Sequence, residues 1–392
     1  MPASRLAHIA PFHVMEILKR AQAMQAAGRD MISMSIGEPD FGAPPPVVAA
    51  AAEAMAQGRL QYTNALGLPA LRQALSQHYA DNFGLDVPAQ RIVLTAGASG
   101  ALLLACAALV EPGAQVIMPD PCYPCNRHFV AAFNGRAQLL PCGPEQGFQP
   151  RAAQIEQAWA DDSAGVLLAT PSNPTGTSIA QDELAQILAL CQARGGFAII
   201  DEIYQGLRYT GAPHSALALS DQVTVINSFS KYFHMTGWRL GWMVVPEDLL
   251  EAVERLAQNL FICPSAIAQY AALACFTPEA QAIYRARKEE FAQRRSYILG
   301  AMRELGFVIP QEPDGAFYVY ADCRRFLGAR WPDADALCNA LLEETGVVLT
   351  PGKDFGPATA SDYLRLSYAT ALPRMREAVQ RMQRFFQQHG ML

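Results

Sequence analysis

SFSKYFHMTGWRLGW, residues 228–242, lies between an apolar run at 223–226 and a second at 240–245. Two short apolar runs joined by a polar, glycine-bearing connection read as buried strands. The connection carries the chemistry: Ser228 and Ser230 precede Lys231, and Arg239 follows it by eight positions. Lys231 is one of only four lysines in 392 residues, beside Lys19, Lys288 and Lys353. An amine held between two buried strands, next to hydroxyls and a guanidinium, suits a Schiff base beside a bound phosphate. A solvated loop lysine is the alternative, and it leaves Ser228, Ser230, Gly237 and Arg239 unexplained.

Working outward, five more apolar runs (92–95, 115–118, 138–140, 165–169 and 197–200) alternate with amphipathic stretches from about residue 90 onward. That alternation predicts an α/β fold, a mostly parallel seven-stranded sheet covered by helices. Past about residue 275 the pattern changes to long amphipathic helices, 278–305 and 334–345, with strand-like segments at 317–320 and 363–368. The expected organisation is a large domain over 42–275 and a smaller α+β domain built from 276–392 with residues 1–41, the latter including an arm.

Open α/β sheets gather ligands beyond the carboxyl ends of their strands. Those positions hold Gly97-Ala98-Ser99, Asp120 to Tyr123, Pro171 to Gly176, Asp201 to Tyr204, and Asn227 to Lys231. Small residues at 97–100, before a helical stretch at 101–110, let backbone N–H groups approach a phosphate, with Ser99 adding a hydroxyl. A simple N-cap is the competing reading. Asp201 follows four apolar residues, so its buried carboxylate needs a cation, and a protonated pyridine nitrogen would serve. Tyr204 and Asn173 could hydrogen-bond a phenolate oxygen on such a ring, although Asn173 sits among turn dipeptides. Tyr123 is placed to stack on the ring. Strand alternation puts Leu364 and Leu366 on one face and Arg365 on the other, free to clamp a carboxylate or to form a surface ion pair.

Composition narrows the classes. A hydrophobic content of 51% with 17% charged residues is ordinary for a globular enzyme with buried sheets. A net charge of -6 without basic runs argues against nucleic-acid binding, and no apolar run approaches bilayer length. Nine scattered cysteines suit a reducing, cytoplasmic setting; Cys122 and Cys125 form a CxxC without a second ligand pair, so no metal is expected.

Together these motifs resemble the class I and II aminotransferases of the fold type I pyridoxal phosphate family. The resemblance runs from about Ser33 to Ala369 and includes Ser35 to Phe41 (SIGEPDF), Pro171 to Gly176, Asp201 to Tyr204, Ser228 to Lys231 with Gly237-Trp238-Arg239, Asp314 to Phe317, Pro351-Gly352 with Phe355-Gly356, and Leu364-Arg365-Leu366. It implies that Lys231 carries the Schiff base and moves a proton, that Asp201 pairs with the pyridine nitrogen, and that Tyr204 and Asn173 bond the phenolate oxygen. Gly97, Ala98, Ser99, Ser228, Ser230 and Arg239 would hold the phosphate, with Tyr123 on the ring. Gly37, Asn173 and Arg365 would meet the substrate carboxylate. Tyr62, in Tyr62-Thr63-Asn64, looks like the tyrosine that reaches the neighbouring subunit's phosphate, which implies a homodimer. Some relatives specific for aspartate carry a lysine where this chain has Ser99, so a strict dicarboxylate preference is in doubt. The expected reaction is amino transfer from an L-amino acid to a 2-oxo acid. A β-eliminating carbon-sulfur lyase on the same machinery is the alternative. A ligand-sensing module of a transcription regulator is disfavoured by the early SIGEPDF loop and the acidic charge.

Overall fold

The computed structural model describes residues 3–11 and 13–392; Met1, Pro2 and Phe12, in the stretch expected to form the arm, lie outside them. In chain order the strands are β1 (Ile32–Ser33), β2 (Ile92–Thr95), β3 (Gln115–Asp120), β4 (Arg136–Pro141), β5 (Ser163–Ala169), β6 (Phe197–Asp201), β7 (Val223–Ser228), β8 (Gly241–Val244), β9 (Tyr318–Asp322), β10 (Val347–Val348), β11 (Thr350–Pro351) and β12 (Tyr363–Ser367). Seven of them form the central sheet in the order β2-β8-β7-β6-β5-β3-β4. Pairing is parallel from β7 through β4, and β8 alone runs against its neighbours β2 and β7. The carboxyl ends of β2, β3, β5, β6 and β7 therefore share one edge, and the turn from β7 into β8 carries Lys231 across it.

Helices cover both faces of this sheet, which is why its strands read as unbroken apolar runs. Side chains alternate: Val166, Leu168 and Ile200 enter one core with Val223 and Val225, while Leu167, Ile199 and Ile226 enter the core on the opposite face. A third core surrounds β9 and β12 and takes in the helices Pro278–Glu304, Ala334–Thr345 and Leu372–Gln388. Helix ends follow local chemistry. Thr277 Oγ1 accepts from Ala280 N ahead of Pro278, and Asp333 Oδ1 accepts from Ala336 N at 2.8 Å. Gly346, in the left-handed region at φ 74°, closes the helix that Asp333 opens.

The amino-terminal segment joins the third core. β1 pairs in parallel with β10, and the helix His13–Ala26 is held at its start by the buried Asp354 carboxylate, which accepts from His13 N and Val14 N at 3.1 and 3.2 Å. The small residues at 97–100, expected just ahead of a helical stretch at 101–110, are themselves the first turn of that helix, Gly97–Leu109. This first turn is pressed against β8: a Cβ on Gly241 would lie 2.7 Å from the Gly97 carbonyl carbon, 2.8 Å from Ala98 N and 2.9 Å from Asn227 O. All three obstacles are backbone, so nothing can swing aside. Gly241→Ala is expected to lower stability by about 1–3 kcal/mol, measured as a shift of the urea midpoint at unchanged slope. An unshifted midpoint would mean that the helix start and β8 are not pressed together.

Candidate active site

One cavity of about 470 Å³ opens at the carboxyl edge of the central sheet. Its walls include Ala98, Ser99, Tyr123, Asn173, Asp201, Tyr204, Ser230, Lys231, Arg239, Gly37 and Arg365, residues that lie up to 328 positions apart in the chain and that the topology brings together. Three of the expected residues stand elsewhere. Ser228 is buried behind the wall, its Oγ 3.0 Å from Ser230 Oγ and 3.2 Å from the Leu240 carbonyl. Gly97 also lies behind the surface, where a Cβ would come within 2.6 Å of Arg239 Nη2. Tyr62 is 80% exposed on the outside of the chain.

Lys231 lies in the wall of this cavity. Its Nζ donates to the Gly37 carbonyl and lies 5.9 Å from the Tyr204 ring centroid. Burial pulls the amine down to about 8; Glu38 and Asp201 oppose that shift, and Arg365 and Arg239 reinforce it. Only a neutral amine attacks a carbonyl, so covalent uptake of an aldehyde cofactor is expected to accelerate about tenfold per pH unit below this value and then level off. Stopped-flow absorbance from pH 6 to 10 checks it; a rate still climbing steeply at pH 9 to 10 would indicate an ordinary, solvated lysine.

Asp201 is the last residue of β6, not the first beyond it, and its position at the strand end fixes the carboxylate beneath the cavity. One oxygen accepts from Ile203 N at 3.0 Å, and among the described residues no arginine or lysine forms an ion pair with it. Burial raises the group to about 6 despite that bond and the field of Lys231. Tyr204 and Tyr318 share a hydrogen bond of 2.8 Å between hydroxyls, and burial raises both phenols, so they stay protonated.

Arg365 leaves the Leu364 and Leu366 face, as alternation predicts, but not for the surface: it is 2% exposed. Its Nη1 donates to Asn173 Oδ1 at 2.8 Å, and its Nη2 donates to the Ser35 carbonyl. The guanidinium carbon sits 4.5 Å from the Tyr318 ring centroid and 4.9 Å from that of Phe355. Among the described residues it has no carboxylate partner, which removes the surface ion pair as an explanation. A buried guanidinium without a counter-ion has the chemistry to accept an incoming carboxylate.

At the opposite end, Ala98, Ser99, Ser230, Thr236 and Arg239 line the wall beside the N-terminus of the helix Gly97–Leu109. Arg239 adopts φ 54°, ψ 55°, a left-handed conformation that costs a non-glycine residue energy. Backbone N–H groups, hydroxyls and a guanidinium suit a phosphate ester. The donor set therefore fits pyridoxal phosphate at three points: an anion cradle, an amine, and a buried carboxylate lacking a cation, with Tyr123 on the wall between them.

Several wall residues escaped sequence reasoning. Tyr318 follows the Asp314 to Phe317 motif, but no spacing tied it to Tyr204. Val14, Met15, Leu18 and Gln22 come from the helix His13–Ala26, and their spacing by three and four, on one helix face, was the available signal.

Residues 29–382 match the family model for aminotransferase class I and II. The chain is 41% identical over 378 residues to a valine–pyruvate aminotransferase of Mycobacterium tuberculosis, with 96% of each chain covered. It is 34% identical over 393 residues to an aspartate aminotransferase of Geobacillus stearothermophilus, covering 98% of each. The crystal structure of an aminotransferase from Mycobacterium tuberculosis superposes with a TM-score of 0.93 at 41% identity, covering 99% of both chains.

Proposed function

The chain belongs to the class I and II aminotransferases, a family of transferase enzymes, and from that premise we propose that it moves the amino group of an L-amino acid to a 2-oxo acid by a ping-pong cycle through a Lys231 Schiff base with pyridoxal 5'-phosphate. The observation that carries this reading is the sharing of one cavity by Lys231, Asp201 and an Arg365 without a carboxylate partner among the described residues. When bound, pyridoxal phosphate supplies an aldehyde carbon that bonds reversibly to amines and a pyridine ring that takes up the electron pair released at substrate Cα.

The chain's own residues do the rest. Arg365, steadied by Asn173 and the Ser35 carbonyl, binds the substrate α-carboxylate bidentately next to Gly37, and so orients Cα toward Lys231. Lys231 would hold the cofactor through Nζ, and as a neutral amine it would take the proton from substrate Cα and deliver it to the aldehyde-derived carbon of the cofactor. Asp201 keeps the pyridine nitrogen protonated. Tyr204, supported by Tyr318, and Asn173 donate to the phenolate oxygen, while Tyr123 stacks on the ring. Ala98, Ser99, Ser230 and Arg239 hold the phosphate directly, with Gly97 and Ser228 setting the position of Arg239 and Ser230.

The two-part division is included in the proposal: 42–275 holds the cofactor, while 1–41 and 276–392 bring Gly37 and Arg365 to the substrate. So is a homodimer in which the exposed Tyr62 of a second copy completes the phosphate site. Nine free thiols support a cytoplasmic setting, and among the described residues no helix is long and apolar enough to cross a membrane. Two relatives named for valine–pyruvate and aspartate transamination support the reaction type while differing in the donor.

The test separates the half-reactions. Loaded protein mixed with an amino acid, and no oxo acid, is expected to release about one 2-oxo acid per site and to leave pyridoxamine phosphate behind. Adding a second oxo acid should restore the starting absorbance. Continuous release of pyruvate and ammonia from a β-substituted donor, with no acceptor present, would contradict it.

A further inference from the structure

The SIGEPDF loop, residues 35–41, gives the site Gly37, while its Asp40 and Phe41 take no part in the proposed chemistry. Both are held by one helix. Asp40 accepts two bonds from Arg294 of the helix Pro278–Glu304, at Oδ1 from Nη1 at 2.7 Å and at Oδ2 from Nη2 at 3.0 Å. Arg294 is 1% exposed, and Glu290, one turn earlier, also accepts from its Nη2, at 2.6 Å. The Phe41 ring centroid lies 4.9 Å from the guanidinium carbon of Arg287 and 5.0 Å from that of Arg294. Arg287 donates as well to the Gly42 carbonyl, at 2.8 Å. A buried guanidinium bonded through both arms of its fork fixes the direction of its partner as well as the distance, so the helix sets where the loop ends.

The start of the same loop reaches the chemistry. The Ser35 carbonyl accepts from Arg365 Nη2, and the Gly37 carbonyl accepts from Lys231 Nζ. Two carbonyls two residues apart thus steady the cation proposed for the substrate and the amine proposed for the cofactor. Phe41 adds a second link: its ring meets His234 edge-on at 5.5 Å, and His234 N donates to the Lys231 carbonyl at 3.2 Å.

Resting on the amino-transfer reading, we infer that Asp40 and Arg294 are positioning residues for the reaction, their ion pair anchoring the loop that orients Arg365 toward the substrate carboxylate and Lys231 toward the cofactor. Among the described residues neither lines the Lys231 cavity, so both act through the loop. A merely architectural ion pair would add stability and leave the site unchanged.

Two readouts separate these roles. Lys231 Nζ faces Glu38 from the loop, Asp201 from β6, and the guanidiniums of Arg239 and Arg365. Loosening the loop withdraws Glu38 and the Gly37 carbonyl, both of which favour the charged amine. In Asp40→Asn the midpoint of the pH profile for covalent pyridoxal phosphate uptake is therefore expected to fall by about 0.5 unit. In half-reactions of the loaded protein with L-valine, L-alanine and L-aspartate, the concentration of the fastest donor that gives half the limiting rate should rise at least about fivefold, because Arg365 is less well aimed. Phe41→Leu should move both readouts in the same directions. Glu290→Gln removes an equal charge from beside the same guanidinium without releasing the loop, and should leave both at wild-type values. Wild-type values in both Asp40→Asn and Phe41→Leu, or a Glu290→Gln shift as large as that of Asp40→Asn, overturn the inference. If no donor converts the wild-type cofactor, the amino-transfer reading fails instead, and the uptake profile still decides whether the pair acts on Lys231.

Discussion

Alanine in place of Lys231 is expected to cut turnover by at least about 1000-fold while leaving a folded protein that still takes up pyridoxal phosphate. The magnitude follows from two losses at once. The variant has no amine to hold the cofactor in exchangeable covalent form, and no base on the correct side of Cα. No substitute stands by: Lys19 and Lys353 line a different cavity, and Lys288 is absent from the walls of the site. Retention of cofactor should persist because the phosphate cradle, Asp201 and Tyr123 are untouched. Single-turnover absorbance and equilibrium dialysis separate the two effects. Turnover within tenfold of wild type would remove Lys231 from the chemistry.

Asp201→Asn is expected to lower turnover by about 100-fold or more, and to do something less obvious to stability. Asparagine keeps the shape but loses the charge that holds a pyridine nitrogen protonated. The carboxylate is raised from 3.8 to about 6 by burial, so the folded apoprotein binds its proton more tightly than the unfolded chain does. Stability of the wild-type apoprotein therefore falls as pH climbs from 3.8 through about 6. The asparagine variant lacks that loss. Its apo form should melt at or above the wild-type temperature at pH 7, whereas its loaded form should gain less from the cofactor. Paired thermal melts, with and without pyridoxal phosphate, check both arms; a variant whose apo form melts well below wild type would place Asp201 in a structural ion pair instead.

The central sheet was legible because burial on both faces forces short, uninterrupted apolar runs, and all seven appear as strands of one sheet. Edges shifted where pairing extended a run: β4 spans Arg136–Pro141, two residues earlier and one later than the 138–140 stretch. The small residues at 97–100 read as preceding the helix rather than opening it, because their contact with Gly241 is a tertiary fact. Arg365 falls on the expected face of its strand, but alternation cannot report that the second face is also covered. Tyr318 and the helical stripe at Val14, Met15 and Leu18 stay hidden in the sequence for a related reason: each gains meaning only from what the chain folds against it. Residues that must meet the cofactor come in compact motifs, whereas these wall residues do not.

Borohydride reduction of the loaded protein, followed by peptide mapping, addresses the central claim most directly. The reduced pyridoxyl group should be found on Lys231 alone among the four lysines, with loss of activity in proportion to its yield. Its recovery on Lys19, Lys288 or Lys353, or full activity after stoichiometric labelling of Lys231, would contradict the account.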